Sequence, residues 1–99
     1  MNYSVELRDK ASEEFIDAFL WYEEQRIGLG DLFERAVQNK LKHICSHPLH
    51  YKISYKNFHE ASVATFPFLI IYAVDEKLKH ITVIAIFHTS RHPKKKFKK

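Results

Sequence analysis

Two nearly continuous apolar runs, residues 68–74 and 81–88, constrain this 99-residue chain more than any other feature. Both are rich in β-branched and aromatic side chains, and the polar segment 75–79 joins them. Strands this apolar are buried on both faces, so the pair belongs at the centre of a sheet and the rest of the chain must cover it. Upstream, Tyr51, Ile53 and Tyr55 alternate with Lys52, Ser54 and Lys56, the pattern of a strand with one apolar and one basic face. Residues 61–66 are expected to form a further strand. Tyr3, Val5 and Leu7 alternate with Ser4 and Glu6 in a short strand at the start.

Between the first strand and the others, the apolar period changes to that of helices. Ala11, Phe15, Ala18, Phe19 and Tyr22 recur at helical spacing, with Asp9 or Ser12 available as a cap and acids at Glu13 and Glu14 near the positive helix end. Gly28 is expected to end this helix in a left-handed cap. Phe33, Val37, Leu41 and Ile44 then form one stripe of a second helix, which Pro48 stops. The turn Gly28-Leu29-Gly30 makes the two a helical hairpin. The expected fold class is α+β: an N-terminal strand, then a two-helix hairpin packed on one face of a twisted, mainly antiparallel sheet.

A chain of this size buries roughly 65% of its unfolded surface, enough for one modest core without staples. Residues 1–93 are therefore expected to be a single domain and 94–99 a basic C-terminal tail. The one cysteine, Cys45, excludes an internal disulfide framework. The polar opening of mixed charge does not look like a signal peptide, and the longest apolar run, residues 66–74, is far short of the roughly 20 residues that cross a bilayer. No membrane association and a reduced cytoplasmic location are expected.

Charge is divided along the chain. Residues 1–34 hold nine acids and three bases (−6), and residues 35–99 hold three acids and thirteen bases (+10). Six of those bases, Arg91, Lys94, Lys95, Lys96, Lys98 and Lys99, fall within residues 88–99, where there is no acid. Such asymmetry suggests a polyanionic partner, either nucleic acid or an acidic protein segment; a solubilising tail would show the same composition.

Several site types are missing. There is no G-x-x-x-x-G-K-[ST], no G-x-G-x-x-G and no G-x-S-x-G, so nucleotide-binding loops and a hydrolase elbow are excluded. Cys45 beside the stripe position Ile44 is expected to pack rather than react. His43 and His47 are four apart with His50 following, a spacing that can chelate zinc, but no further ligand set completes a site. A solvated helix end is expected there, with no metal and no cofactor. The segment from Phe87 to Lys94 gathers two imidazoles, hydroxyls and Arg91 where a buried strand ends. His88 shares strand parity with Ile86 and suits either packing or proton transfer; Arg91 offers a planar donor fork for phosphate. Lys52 and Lys56 read equally as an extension of that patch or as an ordinary solvated edge.

Taken in order, these motifs resemble the RelE/ParE superfamily of toxins from type II toxin–antitoxin systems, also called plasmid stabilisation proteins. The resemblance runs through the acidic, aromatic helix ending Trp21-Tyr22-Glu23-Glu24, the Gly28-Leu29-Gly30 turn leading to Phe33, and the helix end from Ile44 to Pro48. It continues through Phe66-Pro67-Phe68-Leu69-Ile70-Ile71-Tyr72 and His88-x-x-Arg91-x-Pro93. It implies a compact α+β domain and a cognate antitoxin as partner. RelE-like members cleave mRNA in the ribosomal A site without a metal; ParE-like members inhibit DNA gyrase with no catalytic site of their own.

The first expectation is the mRNA interferase, an endoribonuclease whose partners are the ribosome and mRNA. Gyrase inhibition is the alternative, and a non-toxic small RNA-binding module a further one. For cleavage, His88 would transfer protons and Arg91 would clamp the scissile phosphate. Lys52 and Lys56 would hold RNA, with His92 and Lys94 in support. His59 stands where members commonly place an arginine and would take up that RNA phosphate contact, and no tyrosine follows Arg91. Both departures leave a histidine-based nuclease or a gyrase-type inhibitor open.

Overall fold

The computed structural model describes residues 3–90. Its elements run β1 (Ser4–Leu7), α1 (Asp9–Gln25), α2 (Leu29–Ser46), β2 (Ile53–Tyr55), β3 (Phe58–Ser62), β4 (Phe68–Asp75) and β5 (His80–His88). One five-stranded sheet has the order β1-β5-β4-β3-β2, parallel between β1 and β5 and antiparallel elsewhere. The helical hairpin covers one face. The two apolar runs are the long inner strands β4 and β5, and Phe68 stands opposite His88 where they meet at one end of the sheet.

The apolar stripe of α2 enters the core as its spacing requires: Phe33, Val37, Leu41 and Ile44 are all buried. They meet Ala11 and Ala18 of α1 and Ala61, Phe68, Ile70, Tyr72, Ile81, Val83 and Ile86 of the sheet. Strict alternation along β5 would not put both Val83 and Ile86 on that face. A register shift between Ile71 and Tyr72 supplies the extra residue, since Ile71 pairs with Ala85 but Tyr72 with Val83. Ile71, Ala85 and Phe87 are buried as well, which gives these strands the two-sided burial implied by their composition.

Three local expectations are corrected. The strand expected at 61–66 lies at Phe58–Ser62 instead. Lys56 turns the β2–β3 connection with φ 50°, and Thr65, at φ 75° and followed by Pro67, ends any extended run early. Neither Asp9 nor Ser12 caps α1, whose N-cap is Arg8 without a side-chain bond. Finally, α1 stops at Gln25, and Gly28 (φ 92°) is the left-handed residue that starts α2. The cap of α2 comes from α1: the Glu23 carboxylate accepts from the backbone N–H groups of Gly28 and Gly30, both at 2.9 Å.

Two further bonds set the position of the sheet beneath the helices. Glu14 of α1 accepts from the Ile86 N–H at 2.9 Å, on a stretch of β5 beyond the end of its pairing with β1 at Val83. The fully buried Tyr72 donates its hydroxyl to the Pro48 carbonyl at 2.7 Å, tying the end of α2 to β4. Burial lifts the Tyr72 phenol well above its ordinary pKa, helped by Tyr51, so it remains a donor. Tyr72→Phe should lower stability by about 1–2 kcal/mol by leaving that carbonyl unpaired, read from the denaturation midpoint in urea. An unchanged midpoint would mean that water replaces the hydroxyl. Among the described residues no helix is long and apolar enough to cross a membrane.

Candidate functional site

His88 is the candidate catalytic residue that the described structure positions, and its surroundings are specific. It ends β5 with its ring edge-on to Phe68, centroids 5.0 Å apart at 82°. Its Nδ1 accepts from the Ser90 N–H at 3.1 Å, so in the neutral ring the proton sits on Nε2. Trp21, Tyr22, Phe68, His88, Ser90 and Asp17 line a cavity of about 390 Å³. Its walls are mainly aromatic, and among the described residues its one carboxylate, that of Asp17, comes from α1. The same helix exposes Ile16, Leu20 and Trp21, each a little over half accessible, next to Asp17. An acidic and apolar surface of this kind suits a protein partner better than phosphate.

The other candidates are elsewhere. Lys52 and Lys56 flank β2, at the far edge of the sheet from β1. From β5, three strand spacings, with about three residues of rise to Lys52 and five or more to Lys56, put them about 20 Å or more from His88. His59 is buried at 5% exposure. Its ring stacks on Tyr72 (5.1 Å, 14°), and its Nδ1 lies 2.7 Å from the Tyr51 carbonyl, to which it must donate. It acts as a structural tie between the β2 approach and β4. Arg91, His92 and Lys94 lie outside the described residues. The structure thus brings His88 together with Asp17 and Trp21, and does not bring it together with Lys52, Lys56 or His59.

Asp17 escapes a motif search because nothing in its local spacing distinguishes it from an ordinary surface position of an amphipathic helix, and Trp21 enters only through the family pattern Trp21-Tyr22-Glu23-Glu24, without a role. The available signal was an excess of large apolar residues on α1: Ile16, Leu20 and Trp21 fall outside the stripe that begins at Ala11.

At the C-terminal end of α2, His43 and His47 stack at 4.7 Å and His43 lies 5.6 Å from His50. The Tyr51 hydroxyl is 2.6 Å from His43 Nδ1, with the Lys40 Nζ 3.4 Å from the same hydroxyl. Among the described residues no group of three or more His, Cys, Asp or Glu side chains is placed to hold a metal ion. Desolvation, then the neighbouring His47, His50 and Lys40, hold the His43 pKa below its ordinary value. The folded chain therefore binds fewer protons here than the unfolded chain, so stability falls as pH drops through and below about 6.5. The urea midpoint should fall from pH 7.5 to pH 5, and His43→Gln should flatten that fall; an equal slope in the variant would remove His43 as its source. Burial pushes the Cys45 thiol up, consistent with packing rather than nucleophilic chemistry.

Residues 5–93 match the family described as the ParE toxin of type II toxin–antitoxin system, parDE. Among solved structures, the chain is similar to a chromosomal ParDE toxin–antitoxin system from P. aeruginosa, with a TM-score of 0.76 and 13% identity over 89% of this chain and 97% of that one. A chain of the intact E. coli RelBE toxin–antitoxin complex gives a TM-score of 0.69 at 15% identity, covering 90% of this chain and 99% of that one. The isolated E. coli RelE toxin gives 0.67 at 14% identity, covering 92% and 88%. At such identities these structural likenesses concern the fold. No curated protein sequence is significantly similar to the chain.

Proposed function

Because this chain belongs to the ParE toxin family of type II toxin–antitoxin systems, we propose that it poisons DNA gyrase by binding it, and that a cognate antitoxin neutralises it. The observation that carries the reading is the setting of His88. Cleavage of RNA requires a proton-transfer group beside cations that neutralise the charge growing on phosphorus. Among the described residues, His88 instead shares its cavity with the Asp17 carboxylate, and Lys52 and Lys56 stand about 20 Å or more away. A carboxylate at that point repels a phosphate.

Binding asks for different things, and α1 offers them. Exposed Ile16, Leu20 and Trp21 beside an aromatic cavity give apolar area around a potential anchor, and Asp17 gives polarity. Residues 1–93 are the toxin domain in this reading, and the lysines of 94–99 add attraction toward gyrase-bound DNA. The target sets the place of action in the cytoplasm.

The test is expression of the chain with mRNA integrity and DNA supercoiling followed in parallel, and purified gyrase assayed with the purified chain. Loss of supercoiling and a DNA-damage response with intact mRNA are expected. His88→Gln should change toxicity less than about threefold, whereas a proton-transfer role would cost 10²-fold or more. Prompt translation arrest with mapped mRNA cuts, abolished by His88→Gln, would overturn the proposal in favour of the interferase.

A further inference from the structure

The cavity beside His88 has a chemistry of its own. Asp17, Ala18, Trp21 and Tyr22 recur at i, i+1, i+4 and i+5, which puts all four on one side of α1 within little more than a turn. Ala18 is small and only 8% exposed, so it leaves room between the carboxylate and the two rings of the next turn. Phe68 at the start of β4 and His88 at the end of β5 close the other side. Trp21 to Tyr22 is 5.2 Å at 79°, Tyr22 to Phe68 is 6.2 Å at 63°, and Phe68 to His88 is 5.0 Å at 82°. Rings set this steeply to their neighbours make a corner, and a group seated in it meets several of them at once.

The corner is uncommitted. Among the described residues, Tyr22 is the one ring partner of Trp21 and no cation lies over the indole, so this half-accessible ring keeps an open face. Asp17 forms no ion pair among the described residues. Burial lifts the Tyr22 phenol above its ordinary pKa, a sign that water is partly excluded here, and charge interactions strengthen where it is.

These features select among ligands. The Asp17 carboxylate repels an anion. A small metal ion would exchange its water for rings and one carboxylate, and among the described residues no three His, Cys, Asp or Glu side chains gather to hold one. A neutral apolar molecule would cover the rings and leave the carboxylate without a counter-charge. An organic cation with its charge spread over alkyl groups or a plane satisfies both, because ring faces attract it and the carboxylate balances it. The volume of about 390 Å³ falls in the lower part of the range of small-molecule sites, roughly 300–1,000 Å³. We propose that this cavity binds an organic cation, an alkylated ammonium or a guanidinium group, seated against Trp21 and Tyr22 with its charge toward Asp17. The group can belong to a free small molecule or to the tip of a protein side chain. The inference is independent of the gyrase reading, since it names what the cavity holds whatever larger partner α1 meets.

The experiment uses the full chain, whose single tryptophan is Trp21, so intrinsic fluorescence reports on the cavity directly. The probes are choline, its uncharged mimic of the same shape 3,3-dimethyl-1-butanol, and the blocked amino acid Nα-acetyl-arginine amide. At least one of the two cations should bind saturably and about 10-fold or more tighter than the neutral mimic. Preference for choline assigns the site to a free small cation, and preference for the blocked arginine assigns it to a protein side chain. By calorimetry, Asp17→Asn should weaken the preferred cation about 3- to 5-fold. Trp21→Ala should weaken it about 10-fold or more, and Trp21→Phe less. Parent-like urea midpoints in these surface variants separate lost binding from lost fold. Equal affinity for the cation and the neutral mimic would overturn the inference, as would parent-like binding in both Asp17→Asn and Trp21→Ala. So would the absence of saturable binding by either cation, or binding seen only in Arg91→Ala, which would make the chain's own cation the occupant. Loss of gyrase inhibition with cation binding kept would strike the gyrase reading alone.

Discussion

Gly30→Ala is expected to lower the unfolding free energy by about 3 kcal/mol, the sum of an overpacked contact and a damaged cap. A Cβ at this position would stand 2.7 Å from Glu23 Oε1, 2.9 Å from the Phe19 carbonyl oxygen and 3.0 Å from the Phe19 ring. The carbonyl belongs to α1 and cannot swing away. Glu23 could move, but it would then abandon the N–H groups of Gly28 and Gly30 that it caps. Gly28 provides the internal comparison. It has open space around its missing Cβ and a φ of 92°, so alanine there should cost about 1–2 kcal/mol through backbone strain alone. Urea unfolding of both variants checks the order. A Gly30→Ala protein as stable as Gly28→Ala, or more so, would mean that the hairpin can open at this crossing. Adding Glu23→Ala to Gly30→Ala should cost less than the two single losses combined, because the clash and the cap share one carboxylate.

Phe33→Ala should have the larger effect, about 3–5 kcal/mol. The ring is fully buried, with centroid distances of 5.6 Å to Phe15, 5.2 Å to Tyr22, 5.3 Å to Phe66 and 5.1 Å to Phe68. From α2 it joins Phe15 and Tyr22 of α1 to Phe68 at the start of β4. A domain with a total stability of about 5–15 kcal/mol does not tolerate such a cavity comfortably at 37 °C. The loss should also reach the surface, because Tyr22 and Phe68 form walls of the His88 cavity. Loss of near-ultraviolet circular dichroism and an early urea midpoint are expected, with Phe33→Leu intermediate. A midpoint lowered by less than about 1 kcal/mol would show that the aromatic cluster closes around the gap.

The fold was legible because its signals are periodic and redundant. Phe33, Val37, Leu41 and Ile44 define a helix face four times over, and two long apolar runs leave no place but the centre of a sheet. The strand at Phe58–Ser62 was misplaced because its start depends on Lys56 adopting a positive φ, a conformation that lysine does not advertise. The candidate site was legible only in part. Phe87 and His88 were correctly seen to close the last strand, and motif order pointed to the family. The neighbours of His88 were not readable, because Asp17 and Trp21 come from a helix some seventy residues earlier in the chain.

Residue type and spacing alone determined the helices, the inner strands, the buried stripe and the division of charge between the two halves, since each is a local pattern repeated every two or three to four residues. Tertiary structure decided which charges meet. It set the Asp17 carboxylate into the cavity of His88 and separated Lys52 and Lys56 from that cavity by the width of the sheet. Strand order and helix packing are collective outcomes of burying every apolar face at once, and no run of neighbouring residues encodes them.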